Sequence, residues 1–399
     1  MPIMYDVVIN GGAMTGSTLA LALTHLTQGK CRIAIIEKQS PSLHQHSGFD
    51  SRCIALSDGT CQRLDQIQLP HGQSLWSQMQ PIITPIQHIH VSDKGHFGLV
   101  EFHAKEFNLP QLGVVVELSA MGNLLLQQIQ RCPNIDYICP DEIQQIERTK
   151  QIVHITLKNG RRLTTSLLVG ADGANSKIAH TFNMTQDIIR QYGQTAIIAN
   201  IQPQQAHLGR AFERFTDEGP IALLPMANNL MTLVWCVKQA EPLLHLSDAA
   251  FLSQLQQRFG WRLGKLQQCG PRVAYPLHLT KASHSIQPRV VLIGNAAQTL
   301  HPIAGQGFNL GIRDVLNLAK IVSDAFMQQQ DWGEYKVLQR YAMKRTADQQ
   351  SIINLTDGLV SLFSNHLLPM QIGRNLGLIT LAQSQLLRQY FAKPTLGWI

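Results

Sequence analysis

Apolar and polar residues follow two different periods along this chain, and the switches between them outline its elements. Residues 6–9 form an apolar strand run, residues 14–26 carry apolar positions at helical spacing with Gly29 as a stop, and residues 32–36 return to strand. A βαβ opening is predicted. From Val153 the apolar Val153, Ile155 and Leu157 alternate with polar His154, Thr156 and Lys158 as far as the hairpin pair Asn159-Gly160, and a buried strand follows at residues 167–169. Between residues 195 and 238 four strand patterns succeed one another, TAIIANI, RAFERF, IALLPM and MTLVWCV, with no helix between them. That succession predicts an antiparallel sheet, different in kind from the opening.

A helix is predicted over residues 248–259, with Ser247 as N-cap, Phe251, Leu255 and Phe259 on one face, and Gly260 as its stop. The run RVVLIGN at residues 289–295 is a third apolar strand ending in glycine, and beyond residue 309 the pattern is helical. Pro369 and Gly373 are expected to break the tail into short helices, the last bearing Leu378, Leu381, Leu386 and Leu387. Those leucines either pack inward or offer a face to a membrane or partner.

A chain of 399 residues with 44% hydrophobic residues can bury a large core and divide into more than one unit. Its net charge of +7 is spread without blocks of like charge, which argues against a nucleic-acid module and leaves acidic partners or an anionic membrane surface open. The seven cysteines are scattered, with no C-x-x-C pair and no zinc-ligand spacing, so a reducing, cytoplasmic setting and no metal are expected. No signal-peptide pattern and no run of 18 apolar residues occur, so neither export nor membrane spanning is expected.

Three apolar strands end in glycine-bearing polar turns: VVINGGAMTG, LLVGADGANS and VVLIGNAAQT. In a parallel sheet these turns would meet at the carboxyl edge, where ligands bind. The first, with Gly11, Gly12 and Gly16, offers backbone N–H groups and a helix N-terminus to a pyrophosphate. Glu37, 21 residues after Gly16, stands where a ribose acceptor is expected. A glycine corner of this kind also occurs simply for close packing. Ala13 occupies the place of the middle glycine, and its methyl is expected to weaken phosphate approach, slightly at negative φ and by roughly 1 kcal/mol or more at positive φ.

These motifs together resemble those of the class A flavoprotein aromatic monooxygenases, over essentially the whole chain. The Gly11–Gly12–Gly16 turn with Glu37 resembles the family's ADP-binding motif, GADGANS at residues 170–176 its Asp-Gly motif, and GNAAQTLHPIAGQGFNLGIRD at residues 294–314 the motif that holds the flavin. The stretches GFDSRCIAL, AFERFTDEGPIALLPM, FGWRLGK and AYPLHLT resemble the ubiquinone-biosynthesis group within it. The resemblance implies an α/β fold, with a Rossmann-like FAD-binding domain interleaved with an antiparallel-sheet substrate domain and a helical C-terminal region. Residues 1–75, 105–180 and 275–345 would form the first, 76–104 and 181–274 the second, and 346–399 the third. It implies FAD as cofactor, NAD(P)H as transient reductant and O2 as co-substrate. The reaction implied is ring hydroxylation of a polyprenyl methoxyphenol through a flavin C4a-hydroperoxide. Quinone-biosynthesis proteins and a peripheral membrane contact are the implied partners.

Carried onto this sequence, the resemblance makes Gly11, Gly12, Ala13, Gly16, Glu37, Arg52, Asp172, Gly294, Asn295, Pro302, Gly305, Gly307 and Asn309 the cofactor-binding set. Arg52 would be a cation near the pyrophosphate or an ion-pair partner of Asp50. Asp172 would accept from the cofactor, orient its turn, or cap the next helix. Gly305, Gln306 and Gly307 would present helix N–H groups to the flavin pyrimidine ring, and Pro302 would shape the wall beside it; these four form the catalytic set. Asn295, Gln298 and Ala179 stand where the wider family commonly has Asp, His and Arg. Phe212, Phe215, Leu223, Pro225 and Trp235 are candidate substrate walls, or simply core. His301 reads as structural, and no Ser-His-Asp set or carboxylate pair is legible. Two rival readings are an NAD dehydrogenase, which leaves two of the glycine turns unexplained, and a non-catalytic subunit that keeps the fold without FAD.

Overall fold

The computed structural model describes residues 2–40, 52–300, 305–363 and 368–398. From the amino end, β1 (Ile3–Asn10), α1 (Met14–Leu26) and β2 (Ile33–Ile36) make the expected βαβ start. Next come β3 (Cys53–Ser57), α2 (Asp58–Asp65), α3 (Leu75–Met79), β4 (Ile83–Ile86), β5 (His88–Asp93), β6 (Leu99–His103), β7 (Gly113–Glu117), α4 (Leu118–Gln130) and β8 (Ile135–Ile138). The middle of the chain is mostly strand. It comprises β9 (Ile143–Arg148), β10 (Val153–Leu157), β11 (Arg162–Gly170), the short α5 (Lys177–Thr181), β12 (Gln186–Pro203), β13 (Arg210–Phe215), β14 (Pro220–Pro225), β15 (Met231–Val237), α6 (Glu241–Leu244), α7 (Asp248–Phe259), β16 (Leu266–Cys269) and β17 (Val273–Ala282). The chain closes with β18 (Ile286–Gln287), β19 (Val290–Leu292), β20 (Gln298–Thr299), α8 (Gln306–Met327), α9 (Tyr335–Phe363), α10 (Leu368–Gln383) and α11 (Gln385–Leu396).

Strands β19, β11, β1, β2 and β8 lie side by side and parallel, with β18 antiparallel at one edge and the β9–β10 hairpin attached to β11. Val7, Ile9, Leu167, Val169 and Val291 pack against α1, α4 and α8 on one face. Val8, Ala34, Leu168 and Leu292 belong to the core on the other. These strands are apolar in nearly every position because both faces are covered.

A second sheet runs β20-β17-β12-β15-β14-β13-β5-β6. It is antiparallel throughout except where β13 meets β5 in parallel. Helix α7 covers one face, where Ile197, Leu223, Leu233 and Trp235 pack on Phe251, Leu255 and Phe259. Ser247 caps α7 as its side chain accepts from the Ala250 N–H at 3.3 Å. The opposite face, with Ala211, Ala222, Leu224 and Val234, lines a cavity. Leu223, Pro225 and Trp235 are therefore not its walls: alternation along β14 and β15 sends them to the far side, where α7 excludes water. A small third sheet, β3-β7-β4, takes residues 83–86 away from the stretch expected to join the substrate sheet.

The tail also differs from expectation. Helix α10 runs through Pro369 and Gly373 without a break, because Pro369 falls in its first turn, where a missing N–H costs nothing. The interruption lies at Ser384 instead, so Leu378 and Leu381 sit on α10, and Leu386 and Leu387 on α11. Helix α9 runs unbroken from Tyr335 to Phe363. Among the described residues no helix is long and apolar enough to cross a membrane.

One buried network ties these layers together. Asp314 on α8 is fully buried; its Oδ2 accepts from the Gly294 N–H at 3.0 Å, and its Oδ1 from Arg345 Nε of α9 at 2.6 Å. Arg345 also pairs with Asp348, which in turn holds Arg313 at 2.6 Å. Removing one partner strands the other charge away from water. Arg345→Met is expected to lower the unfolding free energy by about 3–5 kcal/mol, read as a drop in urea midpoint. A change below about 1 kcal/mol would show that water reaches Asp314.

Candidate active site

The three glycine turns meet, as their strand positions predict, at the carboxyl edge of the parallel sheet. Gly11 has φ +105°, and a Cβ there would lie 2.5 Å from the Ala171 carbonyl oxygen. Only glycine permits this turn to abut the Asp-Gly turn. Gly16 serves helix packing, since a Cβ there would sit 2.0 Å from the Gly11 carbonyl oxygen. Gly294, at φ +58°, packs against Thr15 of α1. Ala13 has φ −70° and ψ −167° in the N-cap position of α1. The backbone cost expected at positive φ is absent, and what remains is the methyl itself on the cavity wall.

Glu37 reaches back to the first turn, its Oε2 accepting from the Gly12 N–H at 2.7 Å and its Oε1 from the Gln39 N–H at 2.9 Å. Asp172 is fully committed to its own turn: Asn10 Nδ2 and the Lys177 N–H donate to Oδ2, each at 2.8 Å, and the Ser176 hydroxyl to Oδ1 at 2.6 Å. This geometry favours turn orientation and capping of α5 over direct cofactor contact. Arg52 donates to the Tyr275 hydroxyl at 2.8 Å, linking the end of β3 to β17 on the cavity wall. Asp50, His301 and Pro302 lie outside the described residues.

Helix α8 opens at Gly305, whose φ of +62° and tight fit against Ala55 favour glycine there. Asn309 pins that opening: its Nδ2 donates to the Ala55 and Gly305 carbonyls at 3.1 and 2.7 Å, and its Oδ1 accepts from the Ser57 N–H at 3.0 Å. Its amide is thus engaged within the protein rather than free for a ligand. A Cβ at Gly307 would meet nothing within 4 Å among the described residues, and Gly305 and Gly307 at the head of this 22-residue helix line the cavity. Gln306 opens the helix, and Asn295 lines the cavity. Of the three departures from the wider family, Ala179 is on the buried face of α5 and Gln298 is buried on β20, and neither lines the cavity.

The turns, the head of α8 and the inner face of the second sheet enclose one cavity of about 1250 Å³. That exceeds the usual few hundred to roughly 1000 Å³ of a single-ligand pocket. At its first-turn end Glu142 is held down to about 2 by hydrogen bonds from Lys158 and Lys38. On the sheet face stands a residue the sequence reading passed over. Glu213 on β13 lines the cavity without a hydrogen-bond or ion-pair partner among the described residues, and burial pushes its carboxyl up to about 7. Its signal was present as an acid in the cavity-facing phase of RAFERF.

The family description for an FAD binding domain matches residues 4–356. The chain belongs to the FAD-binding-domain family. It is 33% identical over 395 residues to ubiquinone hydroxylase UbiL of Rhodospirillum rubrum, covering 98% of this chain and 89% of that one. It is 31% identical over 396 residues to 3-demethoxyubiquinol 3-hydroxylase of Escherichia coli, covering 98% of each. Among solved structures, p-nitrophenol 4-monooxygenase from Pseudomonas putida shares the fold with a TM-score of 0.81 at 16% identity, covering 100% of this chain and 99% of that one. The chain is an FAD-dependent monooxygenase, with NAD(P)H as reductant and O2 as co-substrate. The residues present fit FAD: a glycine cradle that side chains would fill, two helix N-termini and a cavity large enough for two occupants.

Gly11→Ala is expected to purify without FAD, whereas Ala13→Gly should bind FAD within about fivefold of the parent, the equivalent of ~1 kcal/mol. Flavin fluorescence titration reads both. A much larger tightening in Ala13→Gly would show that the methyl intrudes on the phosphate.

Proposed function

We propose that this enzyme hydroxylates the ring of a polyprenyl methoxyphenol in ubiquinone biosynthesis, the reaction of a 2-octaprenyl-6-methoxyphenol hydroxylase. The observation that carries this reading is the lining of the cavity. Besides the head of α8 it includes an apolar arm of side chains from β6, the turn after it and the C-terminal helices, Val100, Phe102, Phe107, Leu378, Phe391 and Leu396. An isoprenoid tail matches such an arm, because burying each methylene contributes about 0.8 kcal/mol. The ubiquinone-related activities of the two relatives support the same substrate class.

Bound FAD supplies an electrophilic oxygen atom drawn from O2. The chain's residues bind, orient and dry the site around it. N–H groups at the start of α1 would hold the pyrophosphate, with Glu37, which already accepts from the Gly12 N–H, at the ribose. The α8 N-terminus, with Gly305, Gln306 and Gly307, would stabilise negative charge on the ring end. Asp172 and Asn309 position these turns, and Arg52 with Tyr275 borders the space between flavin and sheet. Ala196, Ile198, Ala222 and Val234 exclude water, which would otherwise divert the activated oxygen. We place the flavin-binding part in residues 1–75, 105–180 and 275–345, and the substrate part chiefly in residues 88–104 and 181–274. The C-terminal helices close the apolar arm, and their exposed Leu376, Leu386 and Tyr390 suit a peripheral lipid contact.

Deleting the gene and identifying the accumulated quinone precursor tests the assignment. Accumulation of the 6-methoxyphenol intermediate is expected, and a normal quinone profile would overturn it.

A further inference from the structure

We propose that Glu213 binds the substrate's phenolic hydroxyl and takes up its proton while the ring is attacked, an inference that rests on the phenolic substrate proposed above. The placement comes from strand register. Val91, Glu213, Ala222, Val234 and Ile198 form one row across β5, β13, β14, β15 and β12, and all five line the cavity. On one side of that row Ala211 and Leu224 pack with Ala55, the residue against which Gly305 at the head of α8 fits. On the other side Phe215 packs with Val100 and Leu378 at the apolar arm. Glu213 is thus the polar position between the flavin end and the tail end, about 7 Å along the strand from Ala211 and from Phe215. A prenyl phenol with its tail in the arm and its ring toward the flavin brings its hydroxyl to this row.

The carboxyl is half-buried on the cavity wall and has no hydrogen-bond or ion-pair partner among the described residues. A phenolic O–H supplies the missing donor. Burial raises the group to about 7, close to the best value for a general base at neutral pH. Other titratable groups on this wall are Cys53 on β3, Cys236 on β15, Tyr275 on β17 and the Asp93–Arg374 pair, with Arg374 Nε donating to Asp93 Oδ2 at 2.7 Å. Burial, then the charge of Glu213, pushes the Cys236 thiol far up, so it stays protonated at neutral pH.

The proton balance closes. As oxygen bonds to the ring carbon ortho or para to the hydroxyl, the phenol O–H breaks, its electron pair stays on oxygen, and the proton passes to a Glu213 carboxylate oxygen. The ring then loses its own C–H proton to water and regains aromaticity, and Glu213 returns its proton to the product oxygen. The oxygen atom and electrons are those of the established reaction.

The test uses FAD-loaded protein, NADPH and two probes: a geranyl methoxyphenol, and a nitro-substituted phenol already ionised at the assay pH. For Glu213→Gln, kcat on the first probe should fall roughly 100-fold or more, and the acid limb near pH 7 should vanish. On the ionised probe the variant should retain activity within about threefold of the parent, since no proton need be removed. Glu213→Asp should keep the limb. Because the folded group holds its proton more tightly than the unfolded one, its contribution to stability is lost as pH rises from the ordinary glutamate range through about 7. Glu213→Gln should therefore melt higher than the parent at about pH 8 and alike at about pH 5. Unchanged kcat and limb, equal losses on both probes, or a lower melting temperature with loss of FAD would each overturn the inference. A parent enzyme that hydroxylates neither probe would instead overturn the phenolic substrate, and this inference with it.

Discussion

No side chain fits between Gly11 and Ala171. This contact lets the ends of β1 and β11 meet, and the ligand edge depends on it. The Ala171 N–H donates to the Asn10 carbonyl at 2.8 Å, and the Ile293 N–H to the Gly170 carbonyl at 3.0 Å, so three strand ends are stitched into one rim. The rim is held from behind by Asp314, which fixes Gly294 from α8 and is neutralised by Arg345 from α9. A buried ion pair is a poor source of net stability, but its geometry is stringent. Here it sets where the head of α8 can point.

The second sheet makes the opposite use of its two faces. Helix α7 seals one with aromatic and branched side chains, so the other can stay open as a cavity without unfolding the sheet. Small residues, Ala196, Ala211 and Ala222, occur on the open face, where larger ones would fill the space a ligand needs. Against that background Glu213 stands out, because among the described residues it has no hydrogen-bond or ion-pair partner.

The cavity belongs to neither sheet alone. Its turns come from the parallel sheet, its floor from the antiparallel one, its far arm from α10 and α11, and β3 joins them through Ala55. Keeping water from a reactive oxygen requires such shared enclosure. It also explains why cavity-lining residues are scattered through the sequence, from Asn10 to Leu396.

Local chemistry dictates the βαβ start, the hairpin at Asn159-Gly160, the Ser247 cap, and three strand ends that need glycine. Gly11, Glu37, Asp172 and Gly305 were legible because a turn, an acceptor or a helix start constrains residue type at short range. Which face of each strand stayed open depended on what packed against it. Leu223 and Trp235 read as walls or as core, and α7, the next long element along the chain, claimed their side and left Ala222 and Val234 to the cavity. The same choice exposed Glu213, whose meaning depends on what does not pair with it. Pro369 failed to break its helix because position in a first turn, not residue type, sets the cost of a missing N–H. Pattern specifies each element's two faces, but packing across hundreds of residues selects which one meets the ligand.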